Sequence, residues 1–436
     1  ALPYFNKLTD KDMSLQFANP LFWVIMIAFT VITGLLAGSY PAFYLSSFNP
    51  VRVLKGNLKA GRSSSLPRKI LVVMQFASSV ILMIGTIIIN QQIQFGKNRP
   101  IGFNNKGLIS VFWSDDISKN YETIRQQLLS TGAVVSVCKS NSPPSQIYSS
   151  NNGWEWKGSQ PVDKSSVFST IATSYDYTNT LGIKLLAGRD FSRDFADSNG
   201  VILNQAAVKR MRLQNPVGAS LKWNDKPMTV IGVIPDIQME SPYHAISPLT
   251  IIYSKDWVGF LDIRFNPNMS ASKTIALIKP IFDRYNPSFP FAYQFADEEY
   301  TKKFNYEELV GNLAGITAVL AIFISCLGLF GLASFTAEQR VKEIGVRKVL
   351  GASVLNLWKL LSKDFVILVL ISCAIAMPVA GYFMNEWLKS YDYKTSIGPG
   401  IYVLVVAMSM AITLITVSFQ AIRAAMANPV KSLRTE

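Results

Sequence analysis

Charged residues are scarce in this sequence. Asp, Glu, Lys and Arg make up 16% of its 436 residues, whereas soluble domains contain about 25%. Five long runs contain none of them: 13–51, 70–96, 309–337, 365–385 and 395–422. Each run can hold a helix of about 20 apolar residues, the length that crosses a bilayer. We therefore predict a multi-pass membrane protein with spans at about 20–47, 70–96, 310–336, 364–388 and 399–424.

Histidine and cysteine are nearly absent, which restricts the chemistry. Cys326 and Cys373 lie in predicted spans and only Cys138 lies outside them, so neither a disulfide framework nor a clustered metal site can be built. His244 is the single histidine, and its Pro-rich turn favours a surface position. Three groups of acids could form acid–base pairs, although solvated turns explain them more simply: Asp115 with Asp116, Asp194 with Asp197, and Asp297 with Glu298 and Glu299. We predict no catalytic residue, no metal and no cofactor.

Two further absences concern the energy source. The phosphate-binding pattern G-x-x-x-x-G-K-[ST] does not occur, so if ATP powers this protein, a partner chain must bind it. No charged residue or histidine lies within the five apolar runs, and proton-coupled transporters normally carry such residues inside the bilayer. A proton-coupled transporter is therefore disfavoured.

Basic residues give the chain a net charge of +14, but they gather at span ends and not on one soluble face, as nucleic-acid binding would require. Six lie between the first two spans, six between the third and fourth, and two after the last: Arg52, Lys55, Lys59, Arg62, Arg68 and Lys69; Arg340, Lys342, Arg347, Lys348, Lys359 and Lys363; Lys431 and Arg434. By the positive-inside rule these segments and the C-terminus are cytoplasmic. Residues 91–309 and the loop near 389–398 are then predicted to lie outside.

The external segment, 97–305, has the composition of a soluble α+β domain. Short β-branched or aromatic runs between turn residues predict strands at Leu108–Trp113, Thr229–Ile234, Leu249–Tyr253 and Phe260–Phe265. Apolar residues at helical spacing predict helices at Ser118–Leu129, Asn204–Leu213 and Ser270–Tyr285.

The two ends of the chain are similar to each other. Asn49–Lys55 reads NPVRVLK and Asn428–Arg434 reads NPVKSLR, and the same shift aligns Tyr4–Asn6 with Phe383–Asn385. We interpret this as a duplication, in which residues 1–56 end an earlier half whose beginning is absent. Chance likeness of two apolar helices is the alternative.

The stretch Glu338–Ala352, EQRVKEIGVRKVLGA, resembles the cytoplasmic segment of MacB/FtsX-type ABC transporter permeases, R-x-x-E-I-G-x-R-[KR]-x-x-G-A. Blocks at 182–191, 201–205, 215–218 and 230–236 resemble that family's periplasmic core domain. The likeness covers essentially the whole chain, and the N-terminal repeat resembles the subgroup with two fused four-span halves. It implies an α-helical transmembrane bundle, here of five spans, with an inserted α+β periplasmic domain in the bacterial inner membrane.

The resemblance implies that residues 337–363 contain a cytoplasmic coupling segment, whose short amphipathic helix docks in a groove of an ATPase. Glu343 and Arg347 are spaced for an i,i+4 ion pair, Gly351 suits a left-handed helix cap, and Val341, Ile344 and Leu350 offer apolar contacts. A basic helix that only anchors to anionic lipid headgroups is the alternative. The predicted coupling residues are Arg340, Lys342, Glu343, Ile344, Gly345, Val346, Arg347, Lys348, Val349, Leu350, Gly351 and Ala352.

Two glycine pairs have the small-xxx-small spacing that seats a neighbouring membrane helix. They are Gly34 with Gly38, and Gly311 with Gly315. Glycine is also simply frequent in membrane helices, so either explanation fits each pair.

Together these features predict a permease subunit that relays ATP-driven motion of a partner ATPase dimer to its periplasmic domain, which exports or acts on a periplasmic client. Its parts would be the end of a first half, a cytoplasmic linker, a span, the periplasmic domain and the permease domain: 1–56, 57–69, 70–96, 97–305 and 309–436. Membrane lipids, a periplasmic adaptor or outer-membrane channel, and a second permease half or second copy are further partners; nucleic acid is not. A membrane-anchored receptor without transport activity is the alternative.

Overall fold

A computed structural model describes residues 2–9, 12–15, 17–46 and 66–426. These residues divide into two compact units. A helical unit takes in the chain up to Asn90, Glu308–Trp387 and the chain from Ser396, and a sheet unit takes in Gln91–Glu307 and Leu388–Thr395. The repeat ends Asn49–Lys55 and Asn428–Arg434, and residues 57–65 of the predicted linker, lie outside the described residues. The duplication therefore stays a prediction.

Four helices are long and apolar enough to cross a membrane: Leu66–Lys97, Asn305–Gln339, Val354–Leu388 and Pro399–Arg423. They coincide with four of the predicted spans. The fifth predicted span, 20–47, coincides with a helix at Pro20–Ser46; its side chains are described mainly over the apolar stretch Pro20–Leu35, so that span stays a prediction. In chain order the helices are α1 (Leu2–Thr9), α2 (Pro20–Ser46), α3 (Leu66–Lys97), α4 (Asp115–Ser130), α5 (Tyr177–Leu181), α6 (Gln205–Arg210), α7 (Ala271–Tyr285), α8 (Ala296–Lys302), α9 (Asn305–Gln339), α10 (Val341–Val349), α11 (Val354–Leu388) and α12 (Pro399–Met426).

Within the helical unit, α3 and α9 pack through small and polar residues. The hydroxyl oxygens of Ser79 and Ser325 lie 3.1 Å apart, and a Cβ at Gly328 would meet Gln75 Oε1 at 2.6 Å. Of the predicted packing glycines, Gly311 is buried and a Cβ at Gly315 would lie 3.7 Å from Thr86; their role in packing stays a prediction. Sequence reasoning missed Gly328.

The other predicted glycine pair has no such neighbour. Within the described part of the chain, no atom comes within 4 Å of a Cβ built at Gly34 or Gly38. Helix packing at these two glycines therefore stays a prediction.

The sheet unit is built on one mixed sheet, with order β12-β1-β11-β2-β5-β10-β7-β9-β8-β4 and with β3 on β5 and β6 on β9. Two neighbouring pairs, β5 with β10 and β7 with β9, are parallel, and the others are antiparallel. The strands are β1 (Leu108–Phe112), β2 (Val134–Ser140), β3 (Ser150–Asn151), β4 (Trp154–Trp156), β5 (Phe168–Thr173), β6 (Ala187–Gly188), β7 (Gly200–Asn204), β8 (Ser220–Trp223), β9 (Lys226–Ile234), β10 (Leu249–Tyr253), β11 (Phe260–Phe265) and β12 (Tyr293–Phe295).

Two capped helices cover one part of this sheet. Ser114 Oγ accepts a hydrogen bond from the Ile117 amide at the start of α4, and Ser270 Oγ accepts one from the Lys273 amide at the start of α7. The apolar faces of both helices join strands β1, β2 and β11 in one buried cluster. The predicted α+β fold of the inserted domain is confirmed, and the predicted strands β10 and β11 have the observed bounds.

Candidate coupling site

The predicted coupling segment is a short helix between two long ones. Helix α9 continues to Gln339, α10 occupies Val341–Val349, and α11 begins at Val354, so the later part of the predicted loop 337–363 is already helical. Arg340 separates α9 from α10, and its guanidinium lies 2.9 Å from the Asp364 carboxylate on α11. Both side chains are partly exposed, so this ion pair contributes at most about 1 kcal/mol. Its main effect is to hold the start of α10 beside α11.

Ile344 holds α10 in place. Its side chain is 4% exposed and lies in a buried cluster with Leu357 and Leu361 of α11 and Ala421 of α12. Beside this cluster, Trp358 Nε1 donates a hydrogen bond of 2.9 Å to Ser418 Oγ. Ile344 faces inward because α10 packs its apolar side on α11 and α12. Its predicted part in coupling to a partner stays a prediction.

The C-terminus of α10 has a complete glycine cap. Gly351 has φ +90°, the left-handed region that glycine enters without strain. Its amide donates to the Lys348 carbonyl at 3.1 Å, and the Ala352 amide donates to the Arg347 carbonyl at 3.0 Å, which is the Schellman pattern. The predicted cap is confirmed, and it ends α10 sharply before α11.

The outward face of α10 combines apolar and basic side chains. Val349 is 65% exposed and Leu350 is 80% exposed, and Val346 is also exposed. Arg347 lies beside them and pairs with Glu343 at 2.8 Å, which confirms the predicted i,i+4 pair. Gly345 is buried, and the side chain of Lys342 lies outside the described ones. We call Val346, Val349 and Leu350 the apolar tip.

Asp364 and Trp358 are the residues of this site that sequence reasoning missed. Asp364 was visible only as the last charge before an apolar run, and its pairing with Arg340 requires the helices to be folded back on each other. The position of the tip on α10 follows from the same packing, since burial of Ile344 turns Val346 and Val349 outward.

The residues considered for catalysis are used in structural contacts. His244 is 62% exposed and lies 3.6 Å from Asp392. Asp197 is held by both terminal nitrogens of Arg189 at 2.6 and 2.8 Å, and Asp116 accepts from the Ser288 amide at 3.2 Å. Among the described residues, no group of three or more His, Cys, Asp or Glu side chains is placed to hold a metal ion.

Two family models match the chain. Residues 315–429 match the FtsX-like permease C-terminal domain, and residues 71–281 match the MacB-like periplasmic core domain. The first match includes the whole of α10 and the cluster around Ile344. The second includes most of the sheet unit.

Similar proteins include a macrolide export ATP-binding/permease protein MacB of Aggregatibacter actinomycetemcomitans, 24% identical over 48% of this chain and 33% of that protein. An uncharacterized ABC transporter permease, YknZ of Bacillus subtilis, is 22% identical over 60% of this chain and 68% of its own length. The crystal structure of the periplasmic region of MacB from Actinobacillus actinomycetemcomitans aligns with 46% of this chain and 94% of that region, at 16% identity and a TM-score of 0.33. The chain spans about a third of the length of the first relative.

Proposed function

The chain belongs to the MacB/FtsX-type permease family, and on this premise we propose that it is a non-catalytic permease subunit of an ABC-type transporter. A cytoplasmic ATPase dimer, whose nucleotide site lies outside this sequence, binds the apolar tip. Nucleotide-driven movement of that dimer is relayed to the sheet unit in the periplasm, which exports or acts on a periplasmic client.

The observation that supports this proposal most directly is that the apolar tip is exposed to solvent while the rest of α10 is fixed by contacts within the chain. Ile344 packs α10 against α11 and α12. Gly351 caps the C-terminus of α10, and the Arg340–Asp364 ion pair holds its N-terminus beside α11. Val349 and Leu350 nevertheless remain in contact with solvent. A short helix with exposed apolar side chains and basic neighbours suits a hydrophobic groove on a partner protein. Because α10 is already fixed in place, binding would cost little conformational entropy.

The helices on either side of α10 are long enough to transmit its movement across the membrane. Helices α9 and α11 have 35 residues each, and a helix rises 1.5 Å per residue, so each is about 52 Å long. A push on α10 passes directly into α11, because only residues 350–353 separate them. In the proposed orientation α10 and the C-terminus are cytoplasmic.

The test replaces one tip residue with a charge. Val349→Asp puts a carboxylate in the apolar tip, while Val162→Asp makes the same change at a residue of the sheet unit with almost equal exposure, 65% against 66%. Both chains are expressed in the native host with an affinity tag and purified in mild detergent. We expect Val349→Asp to insert normally but to recover at least about tenfold less ATPase than wild type, as for loss of a central interface residue, and Val162→Asp to recover the wild-type amount.

Equal ATPase recovery with all three chains would refute docking at the tip. A kinase or signalling adaptor in place of an ATPase would favour the receptor alternative. If Val349→Asp keeps the ATPase but loses contact with anionic vesicles, α10 is instead a lipid anchor.

A further inference from the structure

The short segment Leu388–Thr395, between α11 and α12, belongs to the sheet unit. The sequence showed it only as a small external loop. In the structure it makes side-chain and backbone contacts with two distant parts of the same unit, residues 92–99 and 242–245. We call residues 388–395 the latch.

Gln92 holds the latch by its backbone. The side-chain amide nitrogen donates to the Tyr393 carbonyl at 2.9 Å, and the side-chain oxygen accepts from the Thr395 amide at 2.8 Å. Gln92 is completely buried. One side chain thus satisfies a donor and an acceptor two residues apart, as a neighbouring β-strand would. A buried amide used in this way is costly to lose, because its partners are left without hydrogen bonds.

Tyr243 supports the latch from the second side. Its carbonyl accepts from the Tyr393 amide at 3.0 Å, and its ring meets the Tyr391 ring edge-on at 5.0 Å between centroids. The ring of Tyr243 also lies so close to Gly96 that a Cβ there would be 2.9 Å from it. Glycine at position 96 therefore allows the ring to reach the latch.

Two charged residues complete the contact. The Arg99 guanidinium lies 3.5 Å from the centre of the Tyr393 ring, a close cation–π contact, and donates to the Pro242 carbonyl at 2.8 Å. Asp392 accepts from the Ala245 amide at 2.9 Å. The latch is therefore contacted by residues from other parts of the unit, among them Gln92, Arg99, Tyr243 and Ala245.

We propose that the latch fastens the end of α11 to the sheet unit and carries displacement of that helix into it, with Gln92 as the positioning residue. Leu388 is both the last residue of α11 and the first residue of the latch. Helix α11 begins four residues after Leu350 of the tip, so one continuous stretch of chain connects the proposed ATPase-binding surface to the latch, which Gln92 binds. The relay role rests on the proposed function; the docked state of the latch does not.

Hydrogen exchange of the full-length chain in detergent tests the docked state without nucleotide. The amides of Tyr393, Thr395 and Ala245 are donors in the contact, so peptides covering 389–396 and 241–248 report on it. Gln92→Glu removes the donor to the Tyr393 carbonyl, and Gln94→Glu makes the same change two residues further along the same helix at an exposed position. We expect exchange at 393 and 395 to become at least about tenfold faster in Gln92→Glu and to stay unchanged in Gln94→Glu.

A second variant keeps the test decisive if Gln92→Glu does not insert. Gly96→Ala pushes on the Tyr243 ring and should also speed exchange in both peptides, while Gly398→Ala, where a Cβ meets no atom within 4 Å, should not. Exchange in wild type as fast as in an unstructured peptide, or equal rates in wild type, Gln92→Glu and Gly96→Ala, would overturn the docked latch.

The relay role is tested in the complex with the copurified ATPase. Wild type should change its exchange at 236–248 when ATP and vanadate are added, and Gln92→Glu should lose most of that change while it still binds the ATPase. Equal responses of wild type and Gln92→Glu would overturn the latch as relay but leave the proposed function standing. No response in wild type would overturn the proposed function and the relay together, while the exchange rates without nucleotide still decide whether the latch is docked.

Discussion

Replacing Asp262 by asparagine should remove a large pH dependence from the stability of the sheet unit. Asp262 lies on β11, completely buried, and its two carboxyl oxygens meet Ser110 Oγ at 2.5 Å and Ser140 Oγ at 2.6 Å. Burial raises the pKa of this carboxyl from 3.8 to about 7, and the two serine hydrogen bonds oppose the rise only in part. The group is therefore neutral over much of the acidic range.

Counting hydrogens supports the same conclusion. Ser140 Oγ also lies 2.7 Å from the Ser142 carbonyl, which can only accept. A serine hydroxyl has one hydrogen to donate, so if Ser140 donates it to Ser142, the short contact with Asp262 is satisfied when the carboxyl group supplies the second hydrogen. A protonated Asp262 gives every oxygen in this cluster a partner.

The sign and size of the effect follow from linkage. The folded state holds the Asp262 proton more tightly than the unfolded state, so the stabilising contribution is complete below pH 3.8, declines as pH rises, and is gone above about 7. One pKa unit corresponds to about 1.4 kcal/mol, so the free energy of unfolding should fall by about 4 kcal/mol across this range. The amide of an Asp262→Asn variant can donate to Ser140 in place of the carboxyl hydrogen, so it should keep its stability.

Urea denaturation of the detergent-solubilised chain, followed by tryptophan fluorescence, measures this, because Trp154 and Trp156 are buried in the same unit. Between about pH 5 and about pH 8 the wild-type midpoint should fall while that of Asp262→Asn stays level. The exposed Asp256→Asn serves as control and should follow wild type. A wild-type midpoint that rises with pH, or an Asp262→Asn midpoint that falls as steeply as wild type, would refute a buried neutral carboxyl.

Two further predictions concern α10. Ile344→Ala should cost about 2–4 kcal/mol of local stability by leaving a cavity, and trypsin should then cleave after Arg347 and Lys348 at least about tenfold faster; the exposed Val346→Ala is the control, and equal cleavage would show that Ile344 is not the anchor. Gly351→Ala should cost about 1–2 kcal/mol because alanine is strained at φ +90°, and exchange of the Ala352 amide should speed up accordingly. Gly331→Ala, at a helical glycine with no atom within 4 Å of the Cβ position, should leave that amide unchanged.

The parts of the fold that sequence could predict are those governed by local pattern. Charge-free runs predicted α3, α9, α11 and α12 because a bilayer imposes one length and one composition on any helix that crosses it. Strands β10 and β11 were predicted with their observed bounds because β-branched and aromatic residues are concentrated there between turn residues. The cap at Gly351 and the pair of Glu343 with Arg347 were predictable for the same reason, since each depends on residues within one or two helical turns.

Strand β5 shows why other parts were not predictable. Its sequence, FSTIAT, is half serine and threonine, yet all six residues are buried. The hydroxyls are accommodated by partners far away in sequence, with Thr170 Oγ1 3.3 Å from Thr250 Oγ1 and Thr173 Oγ1 donating to the Lys139 carbonyl at 2.9 Å. Without knowledge of those partners, polar residues argue against a buried strand. The burial of Asp262 and the ion pair of Arg340 with Asp364 were not predictable for the same reason, because the partners lie on other elements.

The apolar tip and Gln92 lie at opposite ends of the proposed relay. Variants at the two places should therefore have different effects on ATPase binding and on hydrogen exchange in the latch. A chain altered at the tip should lose the ATPase and keep the latch protected from exchange, because the contacts of the latch with Gln92, Tyr243 and Arg99 lie within the sheet unit and do not involve the tip. A chain altered at Gln92 should keep the ATPase and lose protection. If the displacement reaches the sheet unit through α11, both variants must lose the nucleotide response; if it travels only through α3 and α9, which also join the two units along the chain, the Gln92 variant must keep it. The response of Gln92→Glu therefore decides between these two routes.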